Sequence, residues 1–509
     1  MLKVLGIIIG GISLQNPALA RLVHDWLPEK TIEELQQALS IGEITSKELV
    51  LMYLHRISSF DKQGIAINSV LEINPDAVQI AEALDTERSQ SGSRGPLHGI
   101  PVLLKDNIDT ADKMHTSAGS LALQYNIAAE DSFVAKQLRD AGAIILGKTN
   151  MTEWANFMTT DGMPSGYSSR GGQVLNPYGP DRFDVGGSSS GSGASIAANL
   201  AAAAVGTETS GSILSPASSN SIVGLKPTVG LISRSGIIPI SHSQDTAGPM
   251  ARTVSDTALL LTVLAGKDDR DPATLSNPNR NLTYSQFLKK DGLRGVSIGV
   301  ARDPYFSYLD EEEVLLMEKS IELLRENGAT VIDSIDFPSA KEDLGYDTLV
   351  FEFKPDLNAY LQNTGENVPV STLRDVIAFN EAHPEKMLKY GQTLLVTCEE
   401  TSGTLTETAY IECREKDIYF SQIKGIDAVM DDYKLDALLS PNNFGAGLPA
   451  KAGYPSITVP AGYTNEGKPL GVTFTAKAFE EGKLIEIGYS FEQAAKLRKP
   501  PVLAVAEEV

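Results

Sequence analysis

Between Val296 and Ile335 the apolar residues change period twice, and this stretch limits the possible fold more than any other. Val296 to Ala301 is a short apolar run of strand length. Val314, Met317, Ile321 and Leu324 then recur at intervals of three and four, which is one face of a helix, and Val331 to Ile335 resumes the strand pattern. Strand, helix, strand at these lengths is a crossover unit, and a helical crossover brings its two strands into parallel pairing. The class is α/β, with a large mixed, mostly parallel central sheet covered by helices.

Other segments fit that class. Thr31-Ile-Glu-Glu34 and Thr45-Ser-Lys-Glu48 carry the Thr-x-x-Glu capping-box spacing ahead of helical patterns, so two helices are expected early in the chain. Ile100 to Leu104 is a buried strand ending at Lys105, Asp131 to Asp140 a helix stopped by Gly142, and Ala143 to Leu146 the next strand. From Met158 to Val185 the chain is rich in Gly, Ser, Pro and Asn, the composition of a long loop. It leads into Gly186 to Gly193 (GGSSSGSG) and the run Ala194 to Gly206, whose small residues suit a helix pressed tightly against a sheet. The polar stretch Asp268 to Asn281 is the best place for a boundary between lobes, and its weakness favours one large domain.

A chain of 509 residues with 42% hydrophobic and 21% charged residues can bury a substantial core. Its 43 Lys plus Arg against 65 Asp plus Glu, a net charge of -22, argue against a nucleic-acid surface. Cys398 and Cys413 have no CxxC partner, and the six histidines form no HExxH pattern or pair at helical spacing, so the sequence gives no support for a metal site, a disulfide or a cofactor. At the start, Lys3, the apolar run Val4 to Leu14 and Ala18-Leu19-Ala20 fit a secretory signal peptide better than a membrane span, which needs about twenty apolar residues. The expected mature chain is 21–509, secreted or in the cell envelope, or cytoplasmic if residues 1–20 are not a signal.

Three places carry candidate chemistry. Gly187-Ser-Ser189-Ser-Gly191 has the spacing of a G-x-S-x-G nucleophile elbow, with His242 or His383 as possible partners. That motif needs a strand before it, and Asn176 to Val185 is a poor one. A phosphate loop lacks its lysine, since none occurs from Gly186 to Gly206. The third pattern joins Lys105 in LLKDNID, Ser188 in GGSSSGSG and Ser212 in TETSGS, with Ser212 placed 24 residues after Ser188.

Together with GLKPTVGLISRSGIIPI and SQDTAGPMARTVSD, this pattern resembles the amidase signature family from about Thr31 to about Pro500. Within the family the likeness runs to bacterial peptide amidases through GPLHGIPVLLKDNID, TSAGSLALQ, GKTNMTEWANF, FEFKPDL and DVIAFNEAH, and weakens at Pro441 to Ala452, a segment that borders the substrate pocket in the family. The resemblance implies a serine-dependent amide hydrolase without metal or cofactor. Ser212 would be the acylated nucleophile, Ser188 the bridging serine after a cis peptide bond, and Lys105 the terminal base. Backbone N–H groups of Thr209, Ser210, Gly211 and Ser212 would form the oxyanion hole. Ser210 stands where many members have glycine or aspartate, which leaves backbone donation intact.

A lysine with an ordinary pKa near 10.4 is neutral only about once in 2,500 at pH 7, a penalty of roughly 4.6 kcal/mol, so Lys105 must be desolvated to serve. Asp106 should point to the opposite side of the strand and leave that charge balance alone. The expected substrate is a small-molecule or peptide carboxamide, and the oligomeric state is left open. The alternatives are the glutaminase-type chain of a tRNA-dependent amidotransferase and a non-enzymatic scaffold derived from an amidase.

Overall fold

The computed structural model describes residues 22–279 and 281–503. The segment 1–20, read above as a signal peptide, lies outside the described residues. In chain order the strands are β1 Val70–Ile73, β2 Pro101–Lys105, β3 Ile144–Thr149, β4 Tyr167–Ser168, β5 Gly172–Gln173, β6 Ala203–Glu208, β7 Val223–Lys226, β8 Thr246–Ala251, β9 Ser297–Val300, β10 Thr330–Asp333, β11 Ala437–Pro441, β12 Ser456–Tyr463 and β13 Pro469–Thr475. Eleven of them form one sheet in the order β1-β3-β2-β6-β8-β7-β12-β13-β11-β9-β10, and β4 with β5 makes a separate hairpin in the expected loop region.

The expected mixed α/β sheet is present, and its parallel pairings fall in two blocks. One is β3-β2-β6, the other β11-β9-β10. Each contains a helical crossover. The helix Phe133–Asp140, capped by Ser132, joins β2 to β3, and Glu311–Glu326, opened by an Asp310/Glu313 capping box, joins β9 to β10. Between the blocks the pairings are antiparallel, most of them joining strands far apart in the chain, as β7 with β12. A short turn joins β12 to β13: Thr464 N–H donates to Lys468 O, and Gly467 takes φ +87° to close it. The parallel expectation therefore holds inside the two blocks and not across the middle of the sheet.

Asp268 to Asn281 is no spacer, since strands from before and after it pair directly at β7 and β12. Asp268 accepts from the hydroxyls of Ser233 and Ser235, and Asp271 holds Arg234, so the stretch is pinned to the body. A second apolar cluster, with Trp154, Phe157, Phe353, Leu357, Val376 and Leu395, seats the helices 347–361, 373–382 and 393–399 over residues 151–158. Both early helices carry the complete Thr31/Glu34 and Thr45/Glu48 capping boxes.

The alanine-rich run departs from expectation. The helix covers Ser190–Ala197 only, and Ala203–Glu208 is strand β6. The break is at Asn199, which takes φ +58° and exchanges hydrogen bonds with Glu29. Arg56 donates to the carbonyls of Ala198 and Asn199, satisfying the helix end from outside. The alanines of β6 are buried on both faces, where side-chain size, not helix propensity, decides.

Small residues are required behind the site. A Cβ at Gly191 would sit 2.2 Å from Asn150 O and 2.4 Å from Ser69 O. Gly191→Ala should therefore destabilise the fold by about 1–3 kcal/mol, the usual cost of overpacking. The midpoint of urea unfolding reads this out, and an unchanged midpoint would show that the backbone there yields freely.

Candidate active site

Lys105 ends β2, and Thr207 with Glu208 ends β6. These strands are parallel neighbours, with Val102 opposite Ala203 and Leu104 opposite Val205, so both ends emerge on one rim of the sheet. Ligand sites in α/β sheets gather at such carboxyl ends. The turn Gly186 to Ser189 enters from the side. Gly186 and Gly187 take φ +80° and +47°, and a Cβ on Gly187 would lie 2.7 Å from Pro216 Cδ and 3.2 Å from Ser212 Cα. Glycine is what lets Ser188 come this near the Ser212 turn.

The structure brings the three expected residues to this rim. Lys105 Nζ donates to Ser188 Oγ at 2.7 Å, and also faces Thr207 Oγ1 at 2.9 Å and Thr207 O at 3.2 Å. Ser189 N–H reaches Ser212 O at 3.2 Å and ties the two serine turns together. Lys105 and Ser188 are fully buried, whereas Ser212 keeps 8% of its surface exposed, so only the last can meet a substrate directly. Burial lowers the Lys105 pKa to about 7, against the opposing pull of Asp245 and Glu208. That removes most of the cost of a neutral lysine at pH 7. Asp106 points away, as expected, accepting from Ser117 Oγ, Gly119 N–H and Arg170.

Two expectations need correction. Gly187–Ser188 is not cis, and the cis peptide among the described residues is Asp303–Pro304. The two left-handed glycines turn the chain instead. Of the four backbone groups expected to hold an oxyanion, Gly211 N–H is already bonded to Glu208 Oε1 at 2.7 Å. The other oxygen of Glu208 takes the N–H groups of Ile213 and Leu214, an anion filling the open end of the helix Leu214–Ser219. Thr209, Ser210 and Ser212 keep backbone N–H groups without partners among the described residues. Thr209 is anchored through its side chain to Asp245 and through its carbonyl to Gln244 Nε2.

The elbow pattern has a different role. Ser189 Oγ donates to Thr207 O and accepts from Thr207 N–H, so it is locked into the end of β6, and no strand occupies Asn176 to Val185. His242 turns elsewhere, with Nδ1 2.9 Å from Asp356 and Nε2 3.5 Å from Glu352, and His383 caps the carbonyl of Phe379. His242, Glu352 and Asp356 are the one group of metal-capable side chains among the described residues. Glu352 already accepts from Ser241, Ser243 and Tyr410, which fits an internal ion-pair network better than a ligand set. Sequence reasoning missed Thr207, Glu208, Asn107 and Asp245 as parts of the site. Thr207 and Glu208 lie in the TETSGS stretch itself, where a threonine and a carboxylate just before a glycine turn are a usable signal.

A cleft of about 330 Å³ opens beside Ser210, lined by Gln244, Tyr305, Tyr308, Tyr346 and Leu448 among others. Lys451 at its wall is paired with Asp417 at 2.9 Å.

A buried lysine of lowered proton affinity is bonded to one serine behind a turn that exposes another, and no histidine is among their hydrogen-bond partners in the described residues. Comparison with known proteins gives the family: the chain belongs to the Amidase family, which residues 48–485 match. It is an amidase, acting on amide carbon–nitrogen bonds. It is 43% identical over 487 residues to a probable amidase of Arabidopsis thaliana, covering 93% of this chain and 92% of that one. Native peptide amidase from Stenotrophomonas maltophilia superposes with a TM-score of 0.89 at 44% identity, over 94% of this chain and 99% of that one. A glutamyl-tRNA(Gln) amidotransferase chain of Prochlorococcus marinus is 32% identical over 501 residues, covering 92% of this chain and 98% of the other.

Proposed function

We propose that Ser212 is the nucleophile, Ser188 the proton bridge and Lys105 the base of this amidase, and that its substrates are carboxamides at peptide C-termini. The 2.7 Å bond from Lys105 Nζ to Ser188 Oγ, made by a lysine with no exposed surface, is the observation that carries the reading. Ser212 Oγ attacks the carbonyl carbon while its proton moves through Ser188 to Lys105. The free N–H groups of Thr209, Ser210 and Ser212 are the donors left to receive the developing oxyanion. The collapsing intermediate takes the proton back onto nitrogen and loses ammonia, and water then releases the acid by the same route in reverse.

Peptide amides are favoured by the match to a peptide amidase and by the size of the cleft, which has room for side chains beyond the scissile group. Its tyrosines offer apolar faces with hydrogen-bonding tips. Residues 1–20 support an exported enzyme. The amidotransferase reading draws on the 32% relative and requires stable partner chains.

Ammonia release from C-terminally amidated peptides, glutamine, asparagine and simple aliphatic and aromatic amides tests the substrate class. Turnover of peptide amides by the isolated chain is expected. Turnover of glutamine alone, or only with added partners, would move the protein to the amidotransferase reading. Ser188→Ala should cost on the order of 10²–10⁴ in kcat, the usual worth of a positioned proton-transfer group. A loss below tenfold would remove Ser188 from the proton path.

A further inference from the structure

Beside Thr207 lies a cavity of about 10 Å³ bounded by Asn107, Thr207, Thr209, Arg234, Asp245 and Thr246 together with apolar walls. That volume suits a single water molecule, provided polar partners are present. They are. Asn107 is only 3% exposed, and while its Nδ2 donates to Thr207 Oγ1 at 3.0 Å, its Oδ1 has no partner. A buried acceptor left alone is costly, so a donor belongs there. Asp245 faces the same space. Its Oδ2 accepts from the N–H groups of Ile240 and Ser241, both at 2.8 Å, and its Oδ1 from the hydroxyl of Thr209. Thr207 Oγ1, on the third side, also accepts from Lys105 Nζ.

We propose that this cavity is a one-water site, and that the water, donating to Asn107 Oδ1 and to Asp245, makes Asp245 a positioning residue that acts on the reaction through Lys105 and Thr209. The inference rests on the reading of Lys105 as the base. One carboxylate then has two effects. It fixes Thr209, at the start of the turn whose N–H groups face the oxyanion, and it places a negative charge close enough to favour the protonated lysine.

The other charges near Asp245 are accounted for. Arg234, from the preceding loop, is bound to Asp271 through Nε and Nη2. Glu208, on β6, is spent on backbone N–H groups. His242, on the same loop as Asp245, is turned to Asp356 and Glu352. Lys105 is the cation left without a carboxylate in direct contact. Burial raises the pKa of Asp245 to about 6, so it is still ionised where Lys105 gives up its proton near 7.

Asp245→Asn preserves the shape, since its oxygen can accept from Ile240 and Ser241 while its amide donates to Thr209. Removing the anion withdraws support from the lysine's charge, so the lysine loses its proton at lower pH. The acid limb of kcat/KM for ammonia release should therefore move down, on the order of one pH unit. If the wild type has its limb near 7 and the variant limb does not move, the proposal is overturned while the base assignment stands. If the wild type has no such limb, the base assignment itself fails. A crystal structure of the wild-type enzyme supplies the second test. A water bonded to Asn107 Oδ1 and Asp245 is expected, and a cavity without one overturns the water site even if Asp245→Asn does not fold.

Discussion

Ser212→Ala should release no ammonia above background from any amide the wild type hydrolyses. Of the three residues at the rim it alone is open to solvent, and its turn is already committed around it: Glu208 fixes the N–H groups of Gly211, Ile213 and Leu214, leaving those of Thr209, Ser210 and Ser212. With Oγ gone, Lys105 has a bridge with nothing to deprotonate. Residual catalysis from oriented N–H groups and binding is the most that remains, so a fall in kcat on the order of 10⁴ or more is expected. The loss should appear with little change in substrate binding, because the cleft lies beside Ser210 and does not depend on the hydroxyl. A variant with a tenth of normal turnover would end the assignment.

Lys105→Ala is the second large effect. Its removal should cost on the order of 10²–10⁴ in kcat/KM and erase the pH dependence that the lysine imposes. The sign is fixed by chemistry. In the proposed role the neutral amine is the base, and burial lowers its pKa to about 7, so wild-type kcat/KM should rise with pH through 7 and fall about tenfold per unit below it. Lys105→Arg should be no better than alanine, because guanidinium does not give up its proton in a protein. A pH–rate profile of all three proteins decides the matter: a wild-type limb that persists in either variant belongs to another group.

Much of this site was legible in the sequence. Lys105 at the end of an apolar run and two glycine-flanked serine turns are visible in the chain, and it is the resemblance to the amidase signature family that singles the three residues out. The crossover units at Pro101–Thr149 and Ser297–Asp333 were legible on their own, because each has an unambiguous period and a capped helix. What could not be read was set by distant contacts. The run after Ala197 looks helical by propensity and becomes a strand because Asn199 meets Glu29 and Arg56 reaches the helix end. Gly211 reads as a free donor until the Glu208 side chain is seen folded back onto it. Asp245 carries no local signature, since its importance arises from Thr209, 36 residues away. The antiparallel middle of the sheet likewise depends on which distant strands meet, as β7 does with β12.

The chemistry and the cleft draw on different parts of the chain. Lys105, Ser188 and Ser212 come from the first half, Lys105 at a strand end and Ser188 on a turn where a methyl group added at Gly187 meets Pro216 Cδ and Ser212 Cα, while most of the cleft wall comes from Pro304 to Leu349 and Phe444 to Lys451. Variant libraries aimed at a new acyl preference can therefore be confined to these two later segments, leaving the serine turns untouched. Selection on such libraries should return enzymes that differ in what they accept and share one pH profile.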